Sequence, residues 1–272
     1  MELQMTLNTR ILALVDPSQK KQQALARARF NAERRDEKPL LTVFMAVDRE
    51  VHKQLKTPPI LFRDAKWVSD TLSRLTDVGL EHELCIGWDK NWAEAVLGEI
   101  KRSKPDQVLV PIYEDEDGNR IVTDETWKLL RASKVTVSLI HPRKDDREER
   151  NVILAAIKSQ DPVFDERTKR TIAQAKALAK IYGAEVHYVN AYQDSAKFPD
   201  RTKIMKMTCV SNSNVHVIAG PISEVLPKVS RKVKADIVMI APLRKQGLIG
   251  TLRGSTISRI IDNIQGDVMA VF

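Results

Sequence analysis

Short apolar runs of five to eight residues, separated by stretches of helical length, recur in the same order twice along the 272 residues. That alternation constrains the fold more than any other feature. A strand buried on both faces reads as continuous apolar text, and a strand-helix-strand connection places two strands parallel in one sheet covered by helices. In the first half the strand-like runs are Ile11 to Asp16, Leu40 to Val47, Leu80 to Ile86, Gln107 to Pro111 and Val135 to Ile140. Helical stretches lie between them: from Asp16-Pro17-Ser18 to about Arg35, from Arg63 to Val78, through Trp92, Val96 and Ile100, and from Asp124 to Ala132. In the second half the strands are Val152 to Ile157, Glu185 to Ala191, Val215 to Ala219, Asp236 to Ala241 and Asp267 to Phe272. Helix faces are marked by Ile172, Ala175, Leu178 and Tyr182, and by Val225, Val229 and Val233.

Offsets test the duplication. Ile11 matches Ile153 at 142, Glu94 matches Glu224 and Asp106 matches Asp236 at 130, and Val137 matches Val268 at 131. The ordered register argues for a repeated unit, with about twelve residues lost between the second and third strands, where the later half has the polar run Ala191 to Asn214. The charged stretch His141 to Arg150 stands between the copies. Residues 1–142 are therefore read as one domain, 143–150 as a linker and 151–272 as a second domain.

Composition narrows the function classes. The 44 basic residues leave a net charge of +8, but 36 acidic residues are interleaved with them, and the most basic stretch, Lys20 to Arg35, reads as a solvated helix face. No stacking aromatics or helix-turn-helix pattern accompany it, so nucleic acid is not expected as a partner. No apolar run reaches the roughly 18 residues of a membrane span. The polar start of the chain shows no leader, and a cytoplasmic protein is expected. The two cysteines, Cys85 and Cys209, form no clustered zinc motif. His187 and His216 fall on neighbouring strands and read as satisfied sheet histidines. Glu114 to Asp117 lacks the spacing of a calcium loop and reads as a solvated turn, so no metal is expected. Trp67, Trp88, Trp92 and Trp127 read as core or packing between domains. There is no Gly-Lys-Ser/Thr phosphate loop and no Gly-x-Ser-x-Gly elbow. Neither Asp16-Pro17-Ser18 nor Lys158-Ser159-Gln160 supplies the signature of a nucleotidyl transferase or ATP pyrophosphatase.

In an open parallel sheet, ligands lie beyond the carboxyl ends of the central strands. In the second half the fourth strand runs into a loop ending Gly254-Ser255-Thr256, which opens a helix from Ser255 to Ile264. Backbone N–H groups and the helix dipole favour a phosphate there, while capping by Ser255 explains the same residues equally well. This loop resembles that of the universal stress protein family, which carries Gly, two residues, Gly, nine residues, then Gly followed by Ser, Thr or Asn. Ala241, Arg244 and Gly254 stand at those spacings and Ser255 follows. Ala235 to Ile240, Ile257 to Asn263 and Asp267 to Phe272 are also similar to the family. So are Ile11 to Pro17, Thr123 to Arg131 and Val135 to Ile140 to its tandem members.

The resemblance implies two flavodoxin-like or HUP-type α/β domains, each a five-stranded, mostly parallel sheet flanked by helices. It implies a stress-response module without catalysis, in which two domains that pair as dimers elsewhere pair within one chain, with a homodimer or protein partner besides. It further implies ATP or another adenine nucleotide, or a different anion, at Lys158, Val189, Ala241, Arg244, Gly254, Ser255 and Thr256. The chain departs from the pattern where Ala241 and Arg244 replace glycines and Lys158 replaces the aspartate that Asp16 supplies in the first half. Four consecutive acids, Glu114 to Asp117, stand where the first half's glycine loop would be, and they repel phosphate.

Overall fold

A computed structural model of the chain describes residues 10–46, 65–87, 91–142, 149–160, 162, 165–241 and 256–272. It separates into two compact units, Met1–Glu148 and Glu149–Phe272. In unit 1, β1 (Arg10–Val15), α1 (Gln23–Glu33), β2 (Leu40–Met45), α2 (Ala65–Thr76) and β3 (His82–Ile86) precede α3 (Trp92–Ser103) and β4 (Gln107–Pro111). A small antiparallel hairpin, β5 (Tyr113–Glu114) and β6 (Arg120–Ile121), then leads to α4 (Asp124–Ala132) and β7 (Thr136–Ile140). The sheet order is β3-β2-β1-β4-β7, with every neighbouring pair parallel.

Unit 2 repeats this plan. It comprises β8 (Val152–Ala156), α5 (Asp165–Tyr182), β9 (Glu185–Tyr192), α6 (Arg201–Thr208), β10 (Val215–Ala219), α7 (Ile222–Val233), β11 (Ile237–Ile240), α8 (Thr256–Asn263) and β12 (Asp267–Ala270). Its order, β10-β9-β8-β11-β12, is again fully parallel. Counting strands within each unit and setting the hairpin aside, both orders are 3-2-1-4-5. That is the Rossmann order 3-2-1-4-5-6 without its sixth strand and not the 2-1-3-4-5 of flavodoxin, so of the two folds anticipated the HUP type holds. The strand order reverses between first and fourth strands, so the crevice beyond β1 and β4, or β8 and β11, is the switch point.

The central strands are apolar because both of their faces are covered. Ile11, Leu12 and Ala13 of β1 are wholly buried, as are Ile153, Leu154 and Ala155 of β8. On one face of the unit 2 sheet, Ile172, Ala175 and Leu178 of α5 pack with Val186, Tyr188 and Ile204. In unit 1, Ala24, Leu25 and Ala28 of α1 pack with Val43, Leu75 and Leu109. Trp92 and Trp127 are core residues, and Trp67 packs half-buried against the α1 cluster. Trp88 lies outside the described residues.

Equivalent helices end alike. Lys104 after α3 and Lys234 after α7, 130 residues apart, both adopt the left-handed conformation, with φ of 49° and 54°. Glycine is the usual occupant of such a helix-ending position because a Cβ is disfavoured there. Two more residues on, Asp106 and Asp236 both bind the start of the neighbouring first strand.

Three expectations change. The helix after β1 begins at Gln23 and not near Ser18, because residues 16–22 form a side-chain-bonded turn. Ser18 N and Oγ donate to Asp16 Oδ1 at 2.9 and 2.6 Å, and Gln22 Nε2 donates to the Asp16 carbonyl at 2.7 Å. The basic helix is not a purely solvated face: Arg27 and Arg35 are buried, and the Arg34 guanidinium lies 3.4 Å from the Phe30 ring centroid. Arg150, placed at the end of the charged linker, is buried within unit 2, where its Nε donates to Asp267 Oδ2 at 3.0 Å. The other charged residues of that stretch, 143–148, lie outside the described residues.

The shortening is also the net of opposite changes. The β9–β10 crossover is shorter than β2–β3 and contains α6, which its polar sequence conceals. The first crossover is three residues longer in unit 2, since Ile11 faces Leu41 whereas Ile153 faces Val186.

Candidate functional site

At the switch point of unit 1, β1 delivers Asp16 to the carboxyl edge of the sheet and β4 delivers Pro111. The Asp16 carboxylate is buried, takes both Ser18 donors on Oδ1, and accepts the Tyr113 hydroxyl on Oδ2 at 3.2 Å. Tyr113 comes from the hairpin that leaves β4, so the hairpin folds back over the crevice. A small, solvent-open cleft remains between Asp16, Ala46, Trp92, Tyr113, Thr123 and neighbouring residues. Thr123 caps α4 by accepting the Thr126 N–H at 3.3 Å. The acidic run ahead of α4 is a self-satisfied turn. Asp115 accepts from the backbone N–H groups of Asn119 at 2.7 Å and Asp117 at 3.0 Å. The Asn119 backbone bond, with its side-chain amide next, holds the Asp115 carboxyl below its usual range.

At the equivalent edge of unit 2, Lys158 follows β8, 142 residues after Asp16, and is half-buried. Its backbone meets Thr168 Oγ1 of α5 through its N–H and its carbonyl, both at 3.4 Å. Val189 stands opposite Ala156 on β9, and its carbonyl accepts Ile157 N–H at 2.9 Å. Ala241 directly follows β11, and Thr256 begins α8. Lys158, Val189 and Ala241 therefore share the carboxyl edge of three adjacent strands. Arg244, Gly254 and Ser255 lie outside the described residues. Sequence reasoning overlooked Asn190 and Ser159, both buried, whose side chains meet at 2.8 Å beside Lys158. A buried asparagine one residue past the apolar centre of β9 was the available signal, since a buried amide needs a partner.

Two further polar clusters lie elsewhere. In unit 1, Glu83, Cys85 and Glu99 place one ligand atom each within 4.8 Å of one another. The Arg102 guanidinium already fills this cluster. It reaches Glu99 through Nε and Nη2, both at 2.8 Å, and through Nη2 also reaches Glu83 at 3.2 Å and Cys85 Sγ at 3.3 Å. Burial, then the Glu99 charge, pushes the Cys85 thiol up and away from thiolate reactivity. In unit 2, His187 Nδ1 and His216 Nε2 are 3.1 Å apart, as the strand assignment anticipates.

No family model matches the chain. Its sequence is 20% identical over 296 aligned residues to a protein of Photorhabdus laumondii, spanning 96% of this chain and 94% of that one. Among solved structures, one from Pseudomonas aeruginosa UCBPP-PA14 superposes with a TM-score of 0.80 at 21% identity, covering 97% of this chain and 93% of that one. A universal stress protein of Archaeoglobus fulgidus superposes with a TM-score of 0.62 at 15% identity, covering 96% and 95%. The structural likeness shows the fold, two α/β units of one plan in a single chain, and the full-length sequence likeness is to proteins of the universal stress class. The Photorhabdus relative is universal stress protein E, and this chain is similar to it from end to end. No helix among the described residues is long and apolar enough to cross a membrane.

Proposed function

We propose that this chain is a tandem universal stress protein, a non-catalytic, ligand-sensing module whose second unit holds an anionic ligand, an adenine nucleotide first among the candidates. The observation that carries this reading is a reversal of charge at one station of the fold. Unit 1 ends its first strand on a buried carboxylate under a tyrosine-bearing hairpin, and unit 2 ends the same strand on a half-buried lysine. A cation at the carboxyl edge of a parallel sheet favours phosphate, and a carboxylate there opposes it. The glycine-bearing sequence ending Gly254-Ser255-Thr256 begins four residues after β11 with Arg244, whose guanidinium suits bidentate contact with phosphate oxygens. The Asn190–Ser159 contact gives the Lys158 turn a fixed floor.

Calorimetric titration of the full chain with ATP, ADP and inorganic triphosphate tests the reading. Binding should weaken by about tenfold or more in Lys158→Ala and in Arg244→Ala, and remain unchanged in Asp16→Ala. Absence of heat at millimolar ATP and triphosphate would retire the anion site. Steady phosphate release in the same samples would overturn the non-catalytic assignment.

A further inference from the structure

The outer edge of unit 2 is built around two imidazoles in direct contact. His187 of β9 and His216 of β10 lie on adjacent parallel strands, and their register, His216 opposite Val189, makes them diagonal neighbours on one face. Their rings stack with centroids 5.3 Å apart and planes 22° from parallel, and one nitrogen of each shares a hydrogen bond of 3.1 Å. Such a contact needs one ring nitrogen to donate and the other to accept, so at least one accepting nitrogen must be unprotonated. Two imidazolium rings at this separation leave no acceptor and set two positive charges in contact.

The surroundings oppose a second charge. His216 faces His187 from β9, Lys232 from α7 and Arg201 from α6, whereas Glu185, 3.6 Å from His187 Nε2, is the acid facing the pair. Glu185 is partly committed elsewhere, since its Oε1 accepts from Asn214 Nδ2 at 2.8 Å. Arg201 also fastens the edge. Its Nη1 donates to Asn212 Oδ1 at 2.8 Å and its Nη2 donates to the carbonyl of Val215, the first residue of β10. Among the described residues, β10 is outermost in the order of its unit and pairs with β9 alone.

We propose that the His187–His216 contact makes β10 and α6 an acid-released edge: a second proton on the pair breaks the imidazole bond and drives β10 and its Arg201 clamp away from β9. The direction follows from linkage. Burial first, then His187, Lys232 and Arg201, lower His216 from its ordinary 6.5 to about 4. The opened edge takes up the proton near pH 6.5 and the closed edge does not until about pH 4. The contribution of the neutral contact is complete above pH 6.5 and is lost as pH falls from there toward 4. The half-exposed site lets solvent screen part of the effect.

Hydrogen exchange on the full chain, expressed as protection factors, reads this directly. Between pH 7 and pH 5, protection of the β10 and α6 amides should fall by about tenfold while that of β8 and β11 holds. In His216→Gln, which cannot take up the proton, the pH dependence should vanish whatever its overall stability. Proton NMR of wild-type His216 supplies a readout independent of the variant, with its ring titrating below pH 5. A ring titrating near 6.5, uniform loss of protection across unit 2, or an unchanged pH dependence in His216→Gln would each overturn the proposal.

Discussion

Asp106 and Asp236 do the same work 130 residues apart: each follows a left-handed helix end and ties its own strand to the start of the unit's first strand. Asp106 N donates to the Arg10 carbonyl at 3.0 Å while its Oδ2 accepts Arg10 N–H at 3.3 Å. Asp236 N donates to the Val152 carbonyl at 2.9 Å while its Oδ2 accepts the N–H groups of Asn151 at 2.8 Å and Val152 at 3.1 Å. The switch between the first and fourth strands is thus laced at its amino end in both units, opposite the edge where a ligand would lie.

The two ties differ in strength. Asp236→Ala strips an acceptor from two backbone donors and should cost about 1–3 kcal/mol. Asp106→Ala loses the longer bond and should cost about 0.5–1 kcal/mol. All four tryptophans belong to unit 1. Urea unfolding followed by fluorescence should therefore register the Asp106 variant, and far-ultraviolet circular dichroism the Asp236 variant. Equal losses, or a larger loss for Asp106→Ala, would contradict this ranking.

Arg150 and Asp267 form an ion pair whose side chains are 2% and 5% exposed. Removing one partner of such a pair leaves a buried charge alone, so Arg150→Ala should lose about 3–5 kcal/mol. The double variant Arg150→Met with Asp267→Leu should recover most of that loss, because both charges disappear together. Thermal unfolding of the three proteins decides it. A single variant within about 0.5 kcal/mol of wild type would show that the pair is not buried in solution.

Arg102 serves as the resident cation among Glu83, Cys85 and Glu99. Added Cd²⁺ should therefore leave the wild-type protein unchanged, while Arg102→Ala should bind it through the thiolate and the two carboxylates. The thiolate-to-cadmium absorption band in the ultraviolet is the measurement. The same band at the same cadmium concentration in the wild type would show that the guanidinium does not guard the cluster.

The sequence made the strands legible because burial on both faces leaves continuous apolar text, as in Ile11 to Val15 and Ile153 to Ala156. The repeat was legible because Asp106 and Asp236 keep structural contacts that require an acceptor at one place. Less visible were features that depend on side chains meeting across distance. The turn at Asp16, Ser18 and Gln22 looks helical by composition, yet its polar groups bond one another and delay α1. Helix α6 hides in a polar run because it buries little beyond Ile204 and Thr208. Arg150 reads as part of a charged stretch, since only the fold brings Asp267 beside it. Lys158 stood out at the candidate site through its contrast with Asp16, whereas Asn190 and Ser159 emerged only when β9 and β8 were laid side by side.

The closing contact of each half spans a different stretch of chain: Ile11 pairs with Gln107, 96 residues on, and Ile153 with Ile237, 84 residues on. By the logarithmic growth of loop-closure entropy, that difference is worth only about 0.1 kcal/mol. Excursions over the third strand can thus be lengthened or trimmed almost silently, leaving the centre of the sheet untouched. The periphery of each half is free to diverge in what it meets, and its hub is not.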